Sequence, residues 1–445
     1  MPVPGRSHSR NATRFSCRLK GSSGLGSLVA VTFQARTRFA ARVGLQVSEI
    51  SRRLGRGGGS VIGGRAIMVM DRRALAHLSS GRRVVLVSGT NGKTTTTSLL
   101  ASALGRAGEV VTNLQGANLP MGLVSALAGG PPEATAVLEV DEAWLPKVVR
   151  STRPEAVALL NLTRDQLDRN NEVRTLAAAW RSALAGEAAG MVVANVDDPL
   201  VVWGAGAANR PIWVAAGQPW TEDSGGCPSC GGRIEFGPSE WACGTCDFAR
   251  PKADLELDGD TLRWSDGRTV TLNLALPGRA NRANAAIAVA VAVGLGDDPE
   301  DGARSLAGVA DVAGRYSTVA ISDSNARLLL AKNPAGWLET FDILGPPPAA
   351  VVVVINARLA DGRDPSWLWD VPFERLQGRP VTASGERAWD LAVRLRYGEV
   401  AHTIVEDPLD ALRGAGDGAD FDVVANYTAF QEIRSNLRRQ LSRTI

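Results

Sequence analysis

Short Val- and Ala-rich runs recur along the chain, and polar or Gly-containing segments separate them. "RRVVLVS" (82–88), "EVVTN" (109–113), "ATAVLEV" (134–140), "AVALLNLT" (156–163), "GMVVANVDD" (190–198) and "PIWVAAG" (211–217) read as strands. Helical patterns such as "TTTTSLLASALGRAG" (94–108) lie between them. Strand and helix in alternation predict an α/β fold: a parallel sheet with helices on both faces. The alternation breaks at about 221–251, where four cysteines fall, and polar β-like stretches follow at 254–266 and 268–278. "NRANAAIAVAVAVGLG" (281–296) then resumes as a buried helix.

After "VAGRYSTV" (312–319) the alternation begins afresh, through "AAVVVVINARLADGRD" (349–364) to "FDVVANYTAFQEIRSNLRRQL" (421–441). Two units are therefore expected: a central domain over 35–310 with an insertion at about 221–251, and a smaller α/β domain over 311–445. The hinge falls near Leu306 to Arg315. Residues 1–34 are rich in Arg, Ser and Gly and lack any carboxylate. They read as a disordered or wrongly assigned start in preference to a targeting peptide. From Arg36 a helical pattern leads into a Gly-rich loop and a second short helix.

Composition changes this picture little. With 445 residues, 44% of them hydrophobic and 21% charged, the chain can bury large cores. A net charge of +3 argues for neither nucleic acid nor membrane over the whole molecule. No run approaches the ~20 apolar residues of a membrane span.

The candidate chemistry begins at "SGTNGKTT" (88–95), between a hydrophobic strand and a helix. Amide N–H groups at a helix N-terminus bind phosphate, and glycines let the backbone approach it closely. Gly89, Thr90, Asn91, Gly92, Lys93, Thr94 and Thr95 are therefore candidate ATP-binding residues. Lys93 would reach the β- and γ-phosphates, and Thr94 would hold Mg2+. The gap between Gly89 and Gly92 is two residues shorter than in a Walker A loop. "VLEVDEAWLP" (137–146) ends a strand in acids that point at a ligand crevice. Glu139 is the first choice as magnesium ligand, with Glu142 as the alternative. Asp165, Gln166, Asp168 and Arg169 close another strand and could add a nucleotide or magnesium contact.

"CPSCGGRIEFGPSEWACGTC" sets Cys227, Cys230, Cys243 and Cys246 as two C-x-x-C pairs twelve residues apart. Four thiolates at this spacing suit structural Zn2+ and leave no open coordination position. Arg233 in the segment is offset by Glu235, Glu240 and Asp247, so nucleic acid is not an expected partner.

Read together, "GTNGKTT", "LEVDEAW", "LNLTRDQLDR", "ANVDDP" and "NRANAAIAVA" resemble the Mur ligase family of ATP-dependent amide-forming enzymes. The short glycine gap is that family's signature. The resemblance implies that Lys93 and Thr94 bind ATP and Mg2+, and that Asn281 and Asn284 meet the nucleotide. Gln166 and Ala280 stand where the family usually has histidines, and too few residues precede the loop for a UDP-holding domain. With the ribbon, "AKNPAGW" and "LADGRDPSWLWD" look like the amidating branch of the family, whose synthetase subunit works with a GatD-like glutaminase as a heterodimer. That resemblance implies amidation of the D-glutamate α-carboxyl of lipid II, a membrane-anchored substrate, through an acyl phosphate. The chain would be cytoplasmic, acting at the inner face of the plasma membrane.

A separate ammonia source is expected on other grounds too. A cysteine-type glutaminase needs a Cys with a His. Outside the ribbon this chain has only Cys17, with His8, His77 and His402 as its three histidines. The resemblance implies that Asp361, with Asp364 as the alternative, completes the partner's Cys–His pair. The competing expectations are a conventional Mur-type or folylpolyglutamate-type amino-acid ligase, and an ATP-switched scaffold without turnover.

Overall fold

The computed structural model describes residues 23–53, 60–113, 117–165, 173–312, 317–321, 323–347, 349–415 and 418–441. The central domain carries β1 (Val84–Ser88), β2 (Val110–Thr112), β3 (Thr135–Glu139), β4 (Ala156–Leu159), β5 (Met191–Asn195) and β6 (Pro211–Ala215). A small hairpin, β7 (Ile234–Phe236) and β8 (Trp241–Cys243), precedes β9 (Leu255–Asp258), β10 (Thr261–Trp264) and β11 (Thr269–Thr271). Apart from that hairpin, these strands form one nine-stranded sheet in the order β11-β10-β9-β6-β5-β4-β1-β3-β2. β1 to β6 pair in parallel, β9 joins β6 in parallel, and β10 alone runs antiparallel to its neighbours β9 and β11.

β1 sits at the switch of this sheet. The chain leaves it toward β2 and β3 on one side, then crosses to β4 on the other. Sheets of this kind place their ligand crevice at the C-terminal ends of the strands flanking such a reversal. Every residue of β1 is buried, because its side chains alternate between two helix-covered faces. Val85 and Val87 pack with Leu99, Leu100 and the Ala- and Val-rich helix Arg279–Gly294. Val84 and Leu86 pack with Leu123, Leu127, Val148 and Trp180. Helices on both faces fix the strand end, and with it the loop that follows.

The C-terminal unit has β12 (Thr318–Ile321), β13 (Ser324–Leu330), β14 (Val351–Val354), β15 (Val381–Ser384), β16 (His402–Ile404) and β17 (Phe421–Ala425). Its order is β12-β13-β17-β14-β15-β16, parallel except at β12. Both sheets match the expected α/β class. At the N-terminus, helix Ser23–Arg53 starts inside the stretch set aside as a tail, while residues 1–22 lie outside the described residues.

Candidate active site

Gly89 and Gly92 adopt φ of 147° and 85°, values that favour glycine. Space demands it as well. A Cβ on Gly92 would lie 2.3 Å from Asn284 Oδ1, and one on Gly89 2.8 Å from Leu160 Cβ. Asn284 thus packs directly on the loop, while Asn281 donates to Pro277 O at 2.6 Å from the first turns of the same helix. The loop is further held from β4's extension. Thr90 N donates to Asn161 O at 2.9 Å, and Asn91 N to Asn161 Oδ1 at 2.9 Å.

Lys93 is buried and curls back over the loop, donating to Gly89 O at 2.5 Å and Thr90 O at 3.2 Å. Its Nζ lies 3.3 Å from Glu142. Burial alone would lower this ammonium's pKa, but Glu142, Glu139, Asp165 and Asp141 outweigh it and hold the pKa above the ordinary lysine value. A fixed positive charge at a phosphate loop follows. Thr94 Oγ1 donates to Glu139 Oε2 at 2.8 Å. Asn113 clamps the backbone of Glu139 on both sides, its Nδ2 to Glu139 O and Glu139 N to its Oδ1, each 2.8 Å. A hydroxyl and a carboxylate fixed beside a helix N-terminus are oxygen donors of the kind a hard divalent cation takes.

These groups line a crevice of about 590 Å³ that both domains wall. Lys332, just beyond β13, forms an ion pair with Asp165, and Arg279 pairs with Glu339. Arg164 reaches Asp370 at 3.3 Å. Asp165 is a candidate contact in the sequence, whereas no sequence motif marks a role for Lys332, Arg279 or Glu339. Gln166, Asp168 and Arg169 lie outside the described residues.

Behind the crevice Asp198 is fully buried. Its Oδ2 accepts from Leu162 N at 2.8 Å and Gln218 Nε2 at 3.1 Å, and its Oδ1 from Leu200 N at 2.9 Å. It ties the β4 loop to Gln218, a crevice residue. Burial pushes its carboxyl up to about 6 against these donors. A carboxyl raised on folding stabilises most when protonated, and that contribution fades as pH climbs from about 4 to about 6. The unfolding free energy of the protein relative to Asp198→Asn is therefore expected to fall by about 3 kcal/mol across that window. Denaturant titrations at several pH values check this; a constant difference would mean that Asp198 does not titrate there.

The four cysteines converge as the spacing predicts. Their sulfurs lie within 4.8 Å of one another, with Cys227–Cys246 at 3.8 Å and Cys230–Cys243 at 3.5 Å. A tetrahedral zinc–thiolate site has Zn–S near 2.3 Å and hence S···S of about 3.8 Å. The amides of Gly232 and Thr245 each point at a sulfur, at 3.4 Å from Cys230 and Cys243. This donor set could hold a metal ion. The ribbon docks through Trp241, whose Nε1 donates to Val196 O at 3.0 Å.

Asp361 and Asp364 separate clearly. Asp361 is buried, accepting from Thr428 N at 2.8 Å, from Thr428 Oγ1, and from Arg358 N at 3.2 Å. Asp364 is exposed, with one oxygen accepting from Ser366 N at 2.9 Å.

A tight Gly-Lys-Thr loop at a sheet switch point, a Thr–Glu pair and a second α/β domain walling the crevice are the layout of a Mur ligase-type enzyme. The family models agree: the Mur ligase middle domain matches residues 87–216 and the MurT ligase C-terminal domain residues 330–430. The chain belongs to the MurT family. It is 31% identical over 430 residues to the lipid II isoglutaminyl synthase (glutamine-hydrolyzing) subunit MurT of Streptococcus pneumoniae (strain ATCC BAA-255 / R6), covering 88% of this chain and 95% of that one. The protein of the same name from Staphylococcus aureus (strain COL) is 28% identical over 383 residues, covering 80% of this chain and 87% of that one. Among solved structures, a pseudomurein peptide ligase type C from Methanothermus fervidus superposes with a TM-score of 0.64 at 18% identity, covering 81% of this chain and 79% of that one. That likeness concerns the fold alone.

Proposed function

We propose that this chain is the ATP-dependent synthetase subunit that converts the D-glutamate α-carboxyl of lipid II to its amide, in peptidoglycan biosynthesis. The observation that carries the reading is the gathering of Lys93, Thr94 and Glu139 in one two-domain crevice, in a chain that matches MurT relatives over nearly their full length. In the first step a carboxylate oxygen attacks the γ-phosphorus of ATP, and the bond to ADP breaks. In the second, the ammonia nitrogen attacks the activated carbonyl carbon, the C–O bond to phosphate breaks, and a proton leaves the nitrogen. Such transfers rest on positioning and charge neutralisation. Lys93 and the amides of the loop from Gly89 to Thr95 supply these toward the phosphates, and Asn281 and Asn284 border the nucleotide. Thr94 and Glu139 would hold Mg2+, which when bound offsets phosphate charge; Glu142 instead serves Lys93. The four cysteines would hold Zn2+ with a structural purpose.

Ammonia comes from a GatD-like glutaminase partner. A triad acid must present an oxygen to a histidine of the other chain. Burial and three internal donors, two of them from Thr428 in helix Tyr427–Leu441, hold Asp361 within its own chain, so Asp364 is the better placed of the two. Asp364→Asn is expected to reduce glutamine-dependent amidation by about 10²–10⁴-fold while ammonium-dependent amidation persists. Asp361→Asn run in parallel discriminates: the same split there, and none at Asp364, would return the role to Asp361. The proposed location is the cytoplasmic face of the plasma membrane. Among the described residues no helix is long and apolar enough to cross a membrane.

The whole reading is tested by nitrogen source. The purified chain with lipid II, Mg-ATP and ammonium should form the amide, and glutamine should serve only when the partner is added. Amidation from glutamine by the chain alone would overturn it, and addition of an amino acid would favour a conventional ligase.

A further inference from the structure

Up to Arg73 the sequence holds fourteen Lys or Arg against two Asp or Glu, in a chain whose whole balance is +3. The described part of this segment is a close-packed pair of helices, Ser23–Arg53 and Ser60–Met70. A Cβ on Gly44 would lie 2.3 Å from Ile67 Cγ1, and one on Gly63 2.5 Å from Gly44 O. The inner faces are therefore satisfied by each other and by the domain beneath. The outer faces are not what a solvated helix carries. Val69 is 76% exposed, Phe39 61% and Ile50 57%, with Val61 and Ile62 also exposed. On the shorter helix Val61, Arg65 and Val69 recur at four-residue spacing, which puts them on one side.

Basic side chains interleave with these apolar ones: Arg38, Arg42 and Arg65 are exposed. Glu49 is the one acid within the two helices, and Arg52 and Arg53 already neutralise it. Exposed apolar residues among arginines, on one helix too polar and one too short to span a bilayer, are the pattern of an interfacial membrane helix. The pair also borders the active site. A Cβ on Gly64 would lie 1.8 Å from Met121 O, in the helix that begins at Pro120, and Leu119 just before it lines the crevice.

We infer that this helix pair is a membrane-docking face that seats the enzyme on an anionic lipid surface, with the crevice margin beside the bilayer. Its purpose rests on the proposed lipid II activity; the binding itself is separately measurable. Apolar side chains enter the headgroup region, and the arginines pair with lipid phosphates.

The test uses the full chain with its glutaminase partner and two vesicle types, phosphatidylcholine alone and phosphatidylcholine mixed with equal phosphatidylglycerol. Co-sedimentation should favour the anionic vesicles and weaken with salt. Arg38→Glu with Arg42→Glu should lower partitioning by at least about tenfold. Phe39→Ser with Val69→Ser should lower it on both vesicle types. All variants should amidate a short-chain, water-soluble lipid II analogue with ammonium as the unsubstituted enzyme does. Equal binding to both vesicle types, or variants that bind unchanged, would overturn the inference. So would variants that lose the glutaminase on gel filtration, since this face would then be a protein interface. Vesicle binding with no amidation of the soluble analogue would instead count against the catalytic reading.

Discussion

Lys93→Ala combined with Glu142→Gln is expected to leave a folded chain whose amidation is slowed by about 10²–10³-fold, with ammonium and with glutamine alike. The second substitution makes the result interpretable. Lys93 and Glu142 are both buried and pair at 3.3 Å, so removing the lysine alone strands a buried carboxylate. That single change should cost about 3–5 kcal/mol of stability and confuse unfolding with lost chemistry. Neutralising both removes the stranded charge. The loop should persist, because Thr90 and Asn91 stay bonded to Asn161 and glycine still meets Asn284 at Gly92. Lost is the loop's own ammonium, which the proposed reaction sets beside the transferring phosphoryl group. Steady-state kinetics with both nitrogen sources, alongside a thermal melt, measure the two effects separately. An activity within threefold of the original would remove Lys93 from the mechanism.

Cys243→Ser is expected to release bound zinc and lower the melting temperature by about 5 °C, as a loss of a few kcal/mol implies in a unit of this size. Cys243 and Cys227 are buried, and they share a small core with Val196, Ile234 and Trp241. Without the metal that core has little else to close it, since β7 and β8 pair over three residues each. The effect should reach beyond the ribbon. Trp241 bonds to Val196 O and Arg174 to Cys227 O, so both the loop after β5 and helix Val173–Leu184 lose a contact. Zinc content by atomic absorption and a calorimetric scan check it. A metal-free chain with an unshifted transition would refute a structural role for the ribbon.

Much of this is legible in the sequence itself. The tight turn at Gly89 and Gly92 and the buried Lys93 follow from short-range properties, backbone reach and local charge, written in adjacent residues. The cysteine spacing is equally local. Val-rich strands alternating with helices gave the parallel sheet, since burial on both faces leaves a continuous apolar run. The pairs Lys332–Asp165 and Arg279–Glu339 were not legible, being 167 and 60 residues apart and set by how two domains meet. Nothing in "ANVDDP" marks Asp198 as buried; its burial depends on Leu162 and Gln218, 36 and 20 residues away. Asp361 and Asp364 could not be told apart either, because nothing in "DGRD" says which carboxylate Thr428 will occupy. Arginines without acids suggested a tail at the N-terminus, yet the helix there already runs from Ser23.

In the proposed reaction a carboxylate is activated by phosphate and then released to ammonia. Lipid II whose D-glutamate α-carboxyl carries heavy oxygen, supplied with Mg-ATP, ammonium and this chain alone, gives the sharpest test. One heavy oxygen should appear in the inorganic phosphate for each amide formed. Phosphate that carries only ordinary oxygen while amide accumulates would contradict it.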